Sequence, residues 1–514
     1  MTATVSTQAL DLPFDEWRAQ VTAHVAAGYR FAGMYASHDT SGPGDSAAET
    51  AQLHALLVGT TWVGCLRTRL ELSGNHSLSY QALTPEVPAA FWYERALHDL
   101  SGVVPIGHPR LDPLLLNRDP GQPSPRPGYA DRVALDQHIH SSATEKHGPV
   151  DVGGGGVFTL PLGPVRSGVF EAIEFLIETP GEDIPHLNIR PHYKHRGIAK
   201  RFETLTPADG ILVAERVEGI SSVAHALAFA HALERLGGVT PPHRAQLVRV
   251  VHAELERIAN HLDVVTRLCD AAGIAVPFAR FGWHKESIMR LVSALCGNRF
   301  GRSVVCVGGI NAEPRVPPLH VSSRVMKIVN RIRTDRDALM VNASFLDRLR
   351  GTGHLDCSLA ASHGALGPVG RASGCDNDAR RRHYDAYTEL PAVDEPVIFD
   401  QGDALARLRV RWVEIEIAAT LIQQACDLLD RTGDLEIATS VEVADGFALG
   451  WAESAQGEVL YGVELRDGRI GRCFARSASL HNMLLFHDVF GGDIFTDFPF
   501  IEASFGLCYA GVAM

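Results

Sequence analysis

The sequence predicts an α+β protein, in which a small N-terminal domain of α/β type precedes a larger, mainly α-helical domain that carries small β elements. Two observations lead to this prediction. Short strand-like runs such as HALLVGTTWVGCLRTRLEL lie near the N-terminus, and much of the later sequence has apolar residues at steps of three and four. A chain of 514 residues is also long enough for two domains.

The N-terminal domain is predicted over residues 1–117, where strand-like runs alternate with the amphipathic stretch FWYERALHDLSG. The next segment, NRDPGQPSPRPGYADRVALDQHIHSSATEKHGP, contains five prolines and has no periodicity. Such a composition is typical of a surface linker, which we place at residues 118–149. The second domain is predicted over residues 150–514.

The second domain is predicted to begin with β-structure and to continue as long helices. VFTLPLGPVRSGVFEAIEFLIETPG alternates enough to form one or two hairpins. Thr240, followed by two prolines, is the predicted N-cap of a helix of about 30 residues. Its predicted buried stripe consists of Leu247, Val251, Leu255, Ile258, Leu262, Val265 and Leu268. Similar patterns occupy about 282–298, 320–350 and 402–432.

The charge and hydropathy of the chain exclude some classes of function. Its 47 basic and 60 acidic residues give a net charge of −13, and no basic cluster suited to phosphate occurs, so we expect no nucleic-acid partner. No run of about 18 apolar residues is present, and the first residues lack the features of a signal peptide. We therefore expect a cytoplasmic protein that reaches a membrane only through partners.

Three polar motifs allow a functional and a structural interpretation. The glycines at 153–156 precede a strand and no G-K-[ST] follows, which favours a flexible junction over a phosphate loop. His192 and His195 are too few for a metal site and favour a surface or interface role. The polar loop at 370–387 is either solvated or folded over a cavity between subunits.

The stretch ERVEGISSVAH places charged residues before a helix of small apolar residues. Ser221 and Ser222 are candidate N-caps, and the positive end of the helix dipole would stabilise Glu218 as a carboxylate. Arg216 could pair with a second carboxylate. The segment is therefore either a capped helix with an ion pair or the wall of a polar pocket.

The succession VAERVEGISSVAHALAFAHALERLGGVTPPHRAQLVRVVHAELERIANHL, VGGI, VGRASG and DFPFIEASFGLCYAG resembles the large-subunit family shared by group 4 nickel–iron hydrogenases and the 49-kilodalton subunit of complex I. FWYERALHDLSGVVPIGHPRLDPLLLNRD is similar to the 30-kilodalton subunit of complex I. The fused order resembles the large subunit of formate hydrogenlyase. The resemblance implies a hydrogenase-large-subunit-like fold for the second domain.

The metal-ligand positions of that family are mostly changed in this chain. Its hydrogenases hold nickel and iron through four cysteines, two in a C-G-I-C-type motif and two in a C-terminal C-x-x-C. Here EGIS places Glu218 and Ser221 at the first pair, and CYAG places Cys508 and Gly511 at the second. Because soft anionic sulfur must bridge the two metals, the resemblance implies that this chain holds no nickel–iron centre.

Quinone binding at the family's usual place is also in doubt. The hairpin that carries the family's quinone-contacting histidine is shortened here to GPVRSGVFEA, and the contacting tyrosine aligns with Gly219. No G-x-G-x-x-G follows a strand, so quinone or NAD would act only at the level of a complex. The matched shell consists of Arg216, His225 and Arg371, which with Glu218 are the candidate cavity-lining residues.

The resemblance implies a subunit of a membrane-associated oxidoreductase complex of complex I or formate hydrogenlyase type. Its partners would be a small subunit with an iron–sulfur cluster and antiporter-like membrane subunits, and it would lie on the cytoplasmic face of the membrane. Glu218 would then handle protons. The alternative is a non-catalytic scaffold with a filled cavity and a structural Glu218–Arg216 pair. Catalysis by the chain itself is left open.

Overall fold

The computed structural model of the chain describes residues 5–38, 50–71, 78–116, 154–166, 171–382, 384–394, 397–433 and 435–514. Within these ranges the fold combines long helices with several small sheets, so the predicted α+β class is confirmed. The predicted linker at 118–149 lies outside the described residues. Of the four-glycine stretch, Gly154, Gly155 and Gly156 are described and precede a strand, as expected.

The strands are short and group into sheets of two to four. They are β1 (Ser6–Asp11), β2 (Arg30–His38), β3 (Thr50–Val58), β4 (Trp62–Glu71), β5 (Ser79–Gln81), β6 (Val104–Ile106), β7 (Phe158–Leu162), β8 (Glu174–Thr179), β9 (His186–Arg190), β10 (Val305–Cys306), β11 (Gly309–Ile310), β12 (Gly446–Ser454), β13 (Gly457–Arg466) and β14 (Arg469–Arg476).

The α-helices range from one turn to about eight turns in length. They are α1 (Phe14–Ala26), α2 (Phe91–Ser101), α3 (Ile198–Phe202), α4 (Pro207–Ala214), α5 (Ser222–Leu236), α6 (His243–Ala271), α7 (Ala275–Cys296), α8 (Pro318–Leu339), α9 (Ala343–Asp347), α10 (Cys357–His363), α11 (Gly367–Arg371), α12 (Ala404–Arg431), α13 (Ala478–Met483), α14 (Phe498–Phe505) and α15 (Tyr509–Ala513).

The N-terminal sheet has the strand order β1-β4-β3-β2, with β1 parallel to β4 and the other pairs antiparallel. It packs against the C-terminal sheet β12-β13-β14. The ring of Tyr35 stacks on Phe474 at 4.6 Å between centroids, and the Arg476 side chain donates a 3.0 Å hydrogen bond to the Ala32 carbonyl. The two ends of the chain therefore share one buried core.

The prediction of one or two hairpins over residues 157–181 is confirmed for β7 and β8, which pair antiparallel, whereas β9 lies beyond that stretch. Strands β7, β8 and β9 form an antiparallel sheet, and every residue of β8 is buried. Residues 167–170, between β7 and β8, lie outside the described residues. The sheet leads directly into the segment that carries the candidate site.

The predicted long helix is α6, and all seven residues of its predicted stripe are buried. Its predicted N-cap is wrong, because the helix begins at His243 and Pro242 precedes it with φ −54° and ψ 142°. Pro242 disfavours the helical conformation for the residue before it, so the helix starts only after both prolines. Helix α6 packs against α7, α12 and α14 and forms the centre of the bundle.

Two other helices differ from the predicted bounds. Helix α7 begins at Ala275 rather than near 282, with Pro277 in its first turn, where a missing N–H costs no hydrogen bond. The exposed Val276 interrupts the apolar period there. The segment 320–350 divides at Asn342, whose side chain accepts the Phe345 N–H at 3.1 Å and so caps α9. Among the described helices, none is long and apolar enough to cross a bilayer.

Candidate functional site

The candidate site lies where the 215–221 turn, between α4 and α5, meets the C-terminal segment. Glu218 is 1% exposed and faces Gly511: a Cβ built on Gly511 would lie 1.7 Å from the Glu218 Oε1 atom. Ser221 and Cys508 are also buried. The sequence therefore brings Glu218 and the C-terminal ligand positions to one place, and the Glu218 carboxylate fills the space beside Gly511.

Glu218 forms a buried pair with His225, which lies in the first turn of α5. The Glu218 Oε2 atom lies 3.6 Å from His225 Nε2, and His225 Nδ1 is hydrogen-bonded to the Tyr461 hydroxyl at 2.8 Å. Neither Glu218 oxygen nor His225 Nε2 has a hydrogen-bond partner among the described residues. Because a buried carboxylate is costly unless it is paired, the His225 ring is the neighbour that can pair with Glu218.

Cys508 is the one thiol at the four former ligand positions. Its Sγ donates to Glu171 Oε1 at 3.3 Å, and the same carboxylate accepts the Ala510 N–H at 2.8 Å. Burial raises the pKa of the Cys508 thiol well above its ordinary value, and the negative charges of Glu218 and Glu171 raise it further. The group is therefore a neutral thiol, which is a poor nucleophile and a poor metal ligand.

Ser221 does not cap α5 with its side chain. It occupies the N-cap position, but its hydroxyl donates to Gln456 Oε1 at 2.9 Å. Ser222, the other predicted cap, is the first residue of the helix. The prediction of a serine cap is therefore wrong, and the Ser221 hydroxyl instead contacts the turn that joins β12 to β13.

The first turn of α5 is capped instead by Glu256 of α6. Its carboxylate accepts the Val223 N–H at 2.8 Å and the Ala224 N–H at 3.1 Å. The carboxyl oxygens of Glu256 accept these N–H groups whether or not the group is ionised, and the positive end of the helix dipole favours the ionised form. Because Glu256 is 33 residues away from Val223 in sequence, local cap rules could not identify it.

Arg216 does not line the cavity, which corrects the prediction made from the sequence. Its side chain is 51% exposed, pairs with Glu215 at 3.2 Å and donates to the Leu212 carbonyl at 2.6 Å. The Glu218–Arg216 pair of the scaffold alternative does not form. The buried carboxylate of Glu215 holds Arg216 at the surface and also accepts the Ser303 N–H.

Arg371 is buried, but its partners belong to an ion network rather than to the Glu218–His225 pair. It donates to the carboxylates of Glu414 and Glu453 and, at 2.8 Å, to the Asn377 carbonyl. Burial acts to raise the pKa of Glu414, but the charges of Arg371 and His261 outweigh it and hold that pKa far below its ordinary value. Arg371 therefore stabilises two carboxylates inside the fold.

The polar loop at 370–387 packs inward within its described part. Arg380 contacts Glu254 at 3.1 Å and Asp378 at 2.7 Å, and these three side chains are buried. Residue 383 of the loop lies outside the described residues. The interpretation of this loop as a solvated segment is wrong for these side chains, because their charges are paired inside the protein.

A chain of hydrogen bonds joins the ion network to the candidate site. Arg257, which pairs with Glu254 at 2.9 Å, donates to the Ser454 carbonyl at 2.9 Å. The Ser454 hydroxyl lies 3.3 Å from Gln456 Oε1, which also accepts the Ser221 hydroxyl. The network and the site are thus connected through buried polar groups.

Arg196 is a positioning residue that the sequence analysis missed. Its guanidinium donates to the carbonyls of Arg216 at 2.9 Å, Val217 at 2.5 Å and Ala510 at 3.0 Å. It therefore fastens the 215–221 turn to the C-terminal segment. The one signal in the sequence was its position in HYKHRG, where the neighbouring His195 also bonds the C-terminal segment, through the carbonyl of residue 513 at 2.6 Å.

The donor set does not fit the four-thiolate centre of the hydrogenases that this chain resembles. The four positions hold a carboxylate, a hydroxyl, a neutral thiol and the hydrogen of Gly511. In the part of the chain that the structure describes, no group of three or more His, Cys, Asp or Glu side chains is arranged to hold a metal ion.

Comparisons with known proteins agree with the fused architecture. Residues 20–126 match the family described as the respiratory-chain NADH dehydrogenase 30 Kd subunit, and residues 270–443 match the 49 Kd subunit family. Formate hydrogenlyase subunit 5 of Escherichia coli K12 is 28% identical over 87% of this chain and 78% of its own length. The resemblance inferred from the motifs is therefore confirmed.

Another relative and a solved structure extend this result. The fused C/D subunit of the NADH-quinone oxidoreductase of Phocaeicola vulgatus is 27% identical over 74% of this chain and 78% of its own length. A chain from the membrane-bound sulfane sulfur reductase, described as an archaeal respiratory membrane complex, covers 71% of this chain and all of its own. It has a TM-score of 0.65 at 23% identity, which establishes similarity of fold.

Proposed function

We propose that this chain, which joins a segment of the 30 Kd complex I subunit family to a segment of the 49 Kd family, is a subunit of a membrane-associated oxidoreductase complex. The names of its relatives support this assignment: formate hydrogenlyase subunit 5, the C/D subunit of NADH-quinone oxidoreductase and the alpha subunit of a membrane-bound hydrogenase. In such a complex its partners are a small iron–sulfur subunit and antiporter-like membrane subunits. The chain then lies on the inner face of the membrane, attached through these partners.

The proposed contribution of the chain is redox-linked proton transfer without a nickel–iron centre of its own. The observation that carries this proposal is the buried Glu218–His225 pair, whose facing atoms lie 3.6 Å apart and lack other partners among the described residues. Two titratable groups enclosed together can exchange a proton when a nearby charge changes. Reduction of an iron–sulfur cluster in a partner subunit would supply that change of charge.

A non-catalytic scaffold is the second candidate function. The observation that favours it is the close fit of Glu218 against Gly511. A site that is filled by packed side chains can be retained for its structural role alone. The shared core of the N-terminal and C-terminal sheets would serve a scaffold equally well. The two candidates differ in the expected effect of removing the Glu218 charge.

The first experiment is purification of the intact complex from its native host, with iron and nickel quantified per chain. Iron without nickel, together with a small iron–sulfur subunit and membrane proteins, is the expected result. Nickel at one atom per chain would overturn the assignment of a subunit without a nickel–iron centre. A chain that purifies with none of these partners would overturn the assignment to a complex.

The second experiment compares Glu218→Gln with the control Glu442→Gln, a change at an exposed carboxylate. We expect Glu218→Gln to lower the activity of the assembled complex with its native electron donor by about ten-fold or more, since proton transfer by a positioned group contributes at least that much. The control should retain full activity. Full activity of Glu218→Gln in an intact complex would favour the scaffold.

A further inference from the structure

A row of polar side chains runs along one face of α6, beside the buried apolar stripe. Its members, His252, Glu256, Asn260 and Asp263, recur at steps of four, four and three residues, as neighbours on one helix face do. All four line a pocket that opens to solvent between α6 and α7. The row therefore connects the surface to the interior of the bundle.

The inner wall of this pocket is the segment that directly follows Glu218. Gly219 and Ile220 line the pocket, and the Asn260 side chain holds this segment by donating to the Ile220 carbonyl at 2.5 Å. Glu218 itself is fully buried behind that wall. The pocket therefore reaches the chain segment that directly follows Glu218.

Glu256 is the half-buried carboxyl nearest to this wall. Burial raises the pKa of Glu256 to about 8, the two N–H groups of α5 act to lower it, and the negative charge of Glu218 acts to raise it. A group with this pKa exchanges protons readily at neutral pH. Glu256 and Glu218 therefore lie close enough for the charge of one to influence the other.

The remaining charged groups of the pocket lie toward its mouth. Lys285 of α7 pairs with Asp263 at 2.6 Å, and Arg299, in the turn after α7, pairs with Glu286 at 2.6 Å. Because Lys285 and Arg299 each form an ion pair with another carboxylate, their charges do not stabilise the ionised form of Glu256. Arg257, the nearest α6 cation, acts to lower the Glu256 pKa less than the hydrogen bonds do.

His252 lies at the deep end of the row. It is buried, and its Nδ1 atom has no hydrogen-bond partner among the described residues. Burial lowers the pKa of His252 to about 4, so its ring is neutral at pH 7. A neutral imidazole nitrogen facing the pocket can hold an ordered water beside Glu256.

The other sides of Glu218 offer poorer routes for a proton. Tyr461, beyond His225, has a pKa raised well above its ordinary value by burial. Cys508, which lies between Glu218 and Glu171, also has a raised pKa and donates its only hydrogen to Glu171. Neither group releases a proton near neutral pH, so the side that faces Glu256 is the favourable one.

We propose that this pocket is the proton entry to the Glu218–His225 pair, with Glu256 as the relay. Glu256 in its acid form passes its proton to the Glu218 carboxylate when the 219–220 segment admits water between the two groups. Solvent then returns a proton to Glu256 through the mouth at Asp263. No electrons move and no bond between heavy atoms changes. This inference rests on the proposed role of Glu218 as a proton site.

The test follows the protonation of Glu218 by infrared spectroscopy after a light-triggered pH step in the full-length chain. The C=O band that Glu218→Gln removes identifies the Glu218 acid. We expect Glu256→Gln, which keeps an oxygen to cap α5, to slow the appearance of this band by about ten-fold or more. Ala259→Leu, which fills the pocket and keeps the carboxyl, should slow it as well. The control Glu442→Gln should leave the rate unchanged.

The outcomes separate this inference from the proposed function. If the band appears at the same rate in wild type, Glu256→Gln and Ala259→Leu, the entry route is wrong while Glu218 remains a proton site. If no band depends on Glu218 at any pH at which the chain is folded, the proposed proton site is wrong and the relay with it. If Glu256→Gln does not fold, the rate at which the band appears is compared between wild type, Glu256→Asp and Ala259→Leu instead.

Discussion

The Glu218 carboxylate and Gly511 are sterically complementary: a Cβ on Gly511 would lie 1.7 Å from Glu218 Oε1. The family resemblance assigns a cysteine to both positions. The loss of a side chain at 511 makes room for the longer side chain at 218, so the two changes are coupled in space. The absence of a side chain at Gly511 thus leaves room for the Glu218 carboxylate.

We first predict that Gly511→Ala lowers the free energy of unfolding by about 1–3 kcal/mol, because the added methyl group overpacks the site. The double variant Glu218→Ala/Gly511→Ala should recover most of that loss, since the opposing carboxylate is then absent. Chemical denaturation of the four members of this cycle measures the coupling. Gly219→Ala is the matched control, since a Cβ there meets nothing within 4 Å. Additive effects would contradict the steric coupling.

The second prediction concerns the attachment of the C-terminal segment by Arg196. Arg196→Lys keeps the charge, but a lysine cannot reach three carbonyls at once. Each charged hydrogen bond that is lost costs about 1.5–3 kcal/mol. Residues 509–513 should therefore open locally about ten times as often, or more. Amide hydrogen exchange of that helix measures the change. Arg201→Lys, at an exposed residue of α3, serves as the control. Equal exchange in both variants would rule out this role for Arg196.

The third prediction concerns the buried ion network. Arg371→Met should lower the free energy of unfolding by about 3–5 kcal/mol, because it removes the cation that the buried carboxylates of Glu414 and Glu453 share. Arg336→Met, which removes a partly exposed pair with Glu416, should cost about 1 kcal/mol or less. Denaturant titration of both variants provides the comparison. A similar cost for the two would mean that the buried network is not strongly coupled.

The fourth prediction is a pH dependence that arises from Asp385. Burial acts to raise the pKa of Asp385, but His231 and Arg249 outweigh it and lower that pKa to about 2. The ionised form is therefore favoured in the folded state, and its stabilising contribution is complete above the unfolded pKa of about 4. That contribution is lost as the pH falls toward 2, and it amounts to about 2–3 kcal/mol.

The matching variant is Asp385→Asn, because asparagine tolerates the left-handed backbone at this position, where φ is 47°. The difference in unfolding free energy between wild type and Asp385→Asn should be constant from neutral pH down to about 5 and then shrink toward pH 2. Equilibrium unfolding at a series of pH values measures it. A difference that does not change with pH would show that Asp385 is not held ionised by His231 and Arg249.

Local patterns predicted the parts of the fold that depend on sequence neighbours. The period of three and four residues located α6 and its buried stripe, and the alternation over residues 157–181 located the β7-β8 pair. The predicted starts of α6 and α7 differ from the observed starts. Pro242 delays the start of α6, and the exposed Val276 interrupts the apolar period at the start of α7.

The candidate site was predicted only in part, because much of it depends on long-range contacts. Glu218, Ser221, Cys508 and Gly511 were found through their place in known motifs. Glu256 and Arg196 were missed, since each acts on backbone groups more than ten residues away in sequence. Arg216 was misplaced because the resemblance assigned it to the cavity wall, whereas in this chain it pairs with the adjacent Glu215 at the surface.

The contact between the first and last sheets has a consequence for synthesis of the chain. Tyr35 leaves the ribosome more than 400 residues before its stacking partner Phe474. At typical rates of translation this interval is roughly 20–90 s. During that time the face of the N-terminal sheet that packs against β12-β13-β14 in the folded protein is exposed. We expect chaperones to bind this face. The nascent chain can complete its core only when translation is nearly finished.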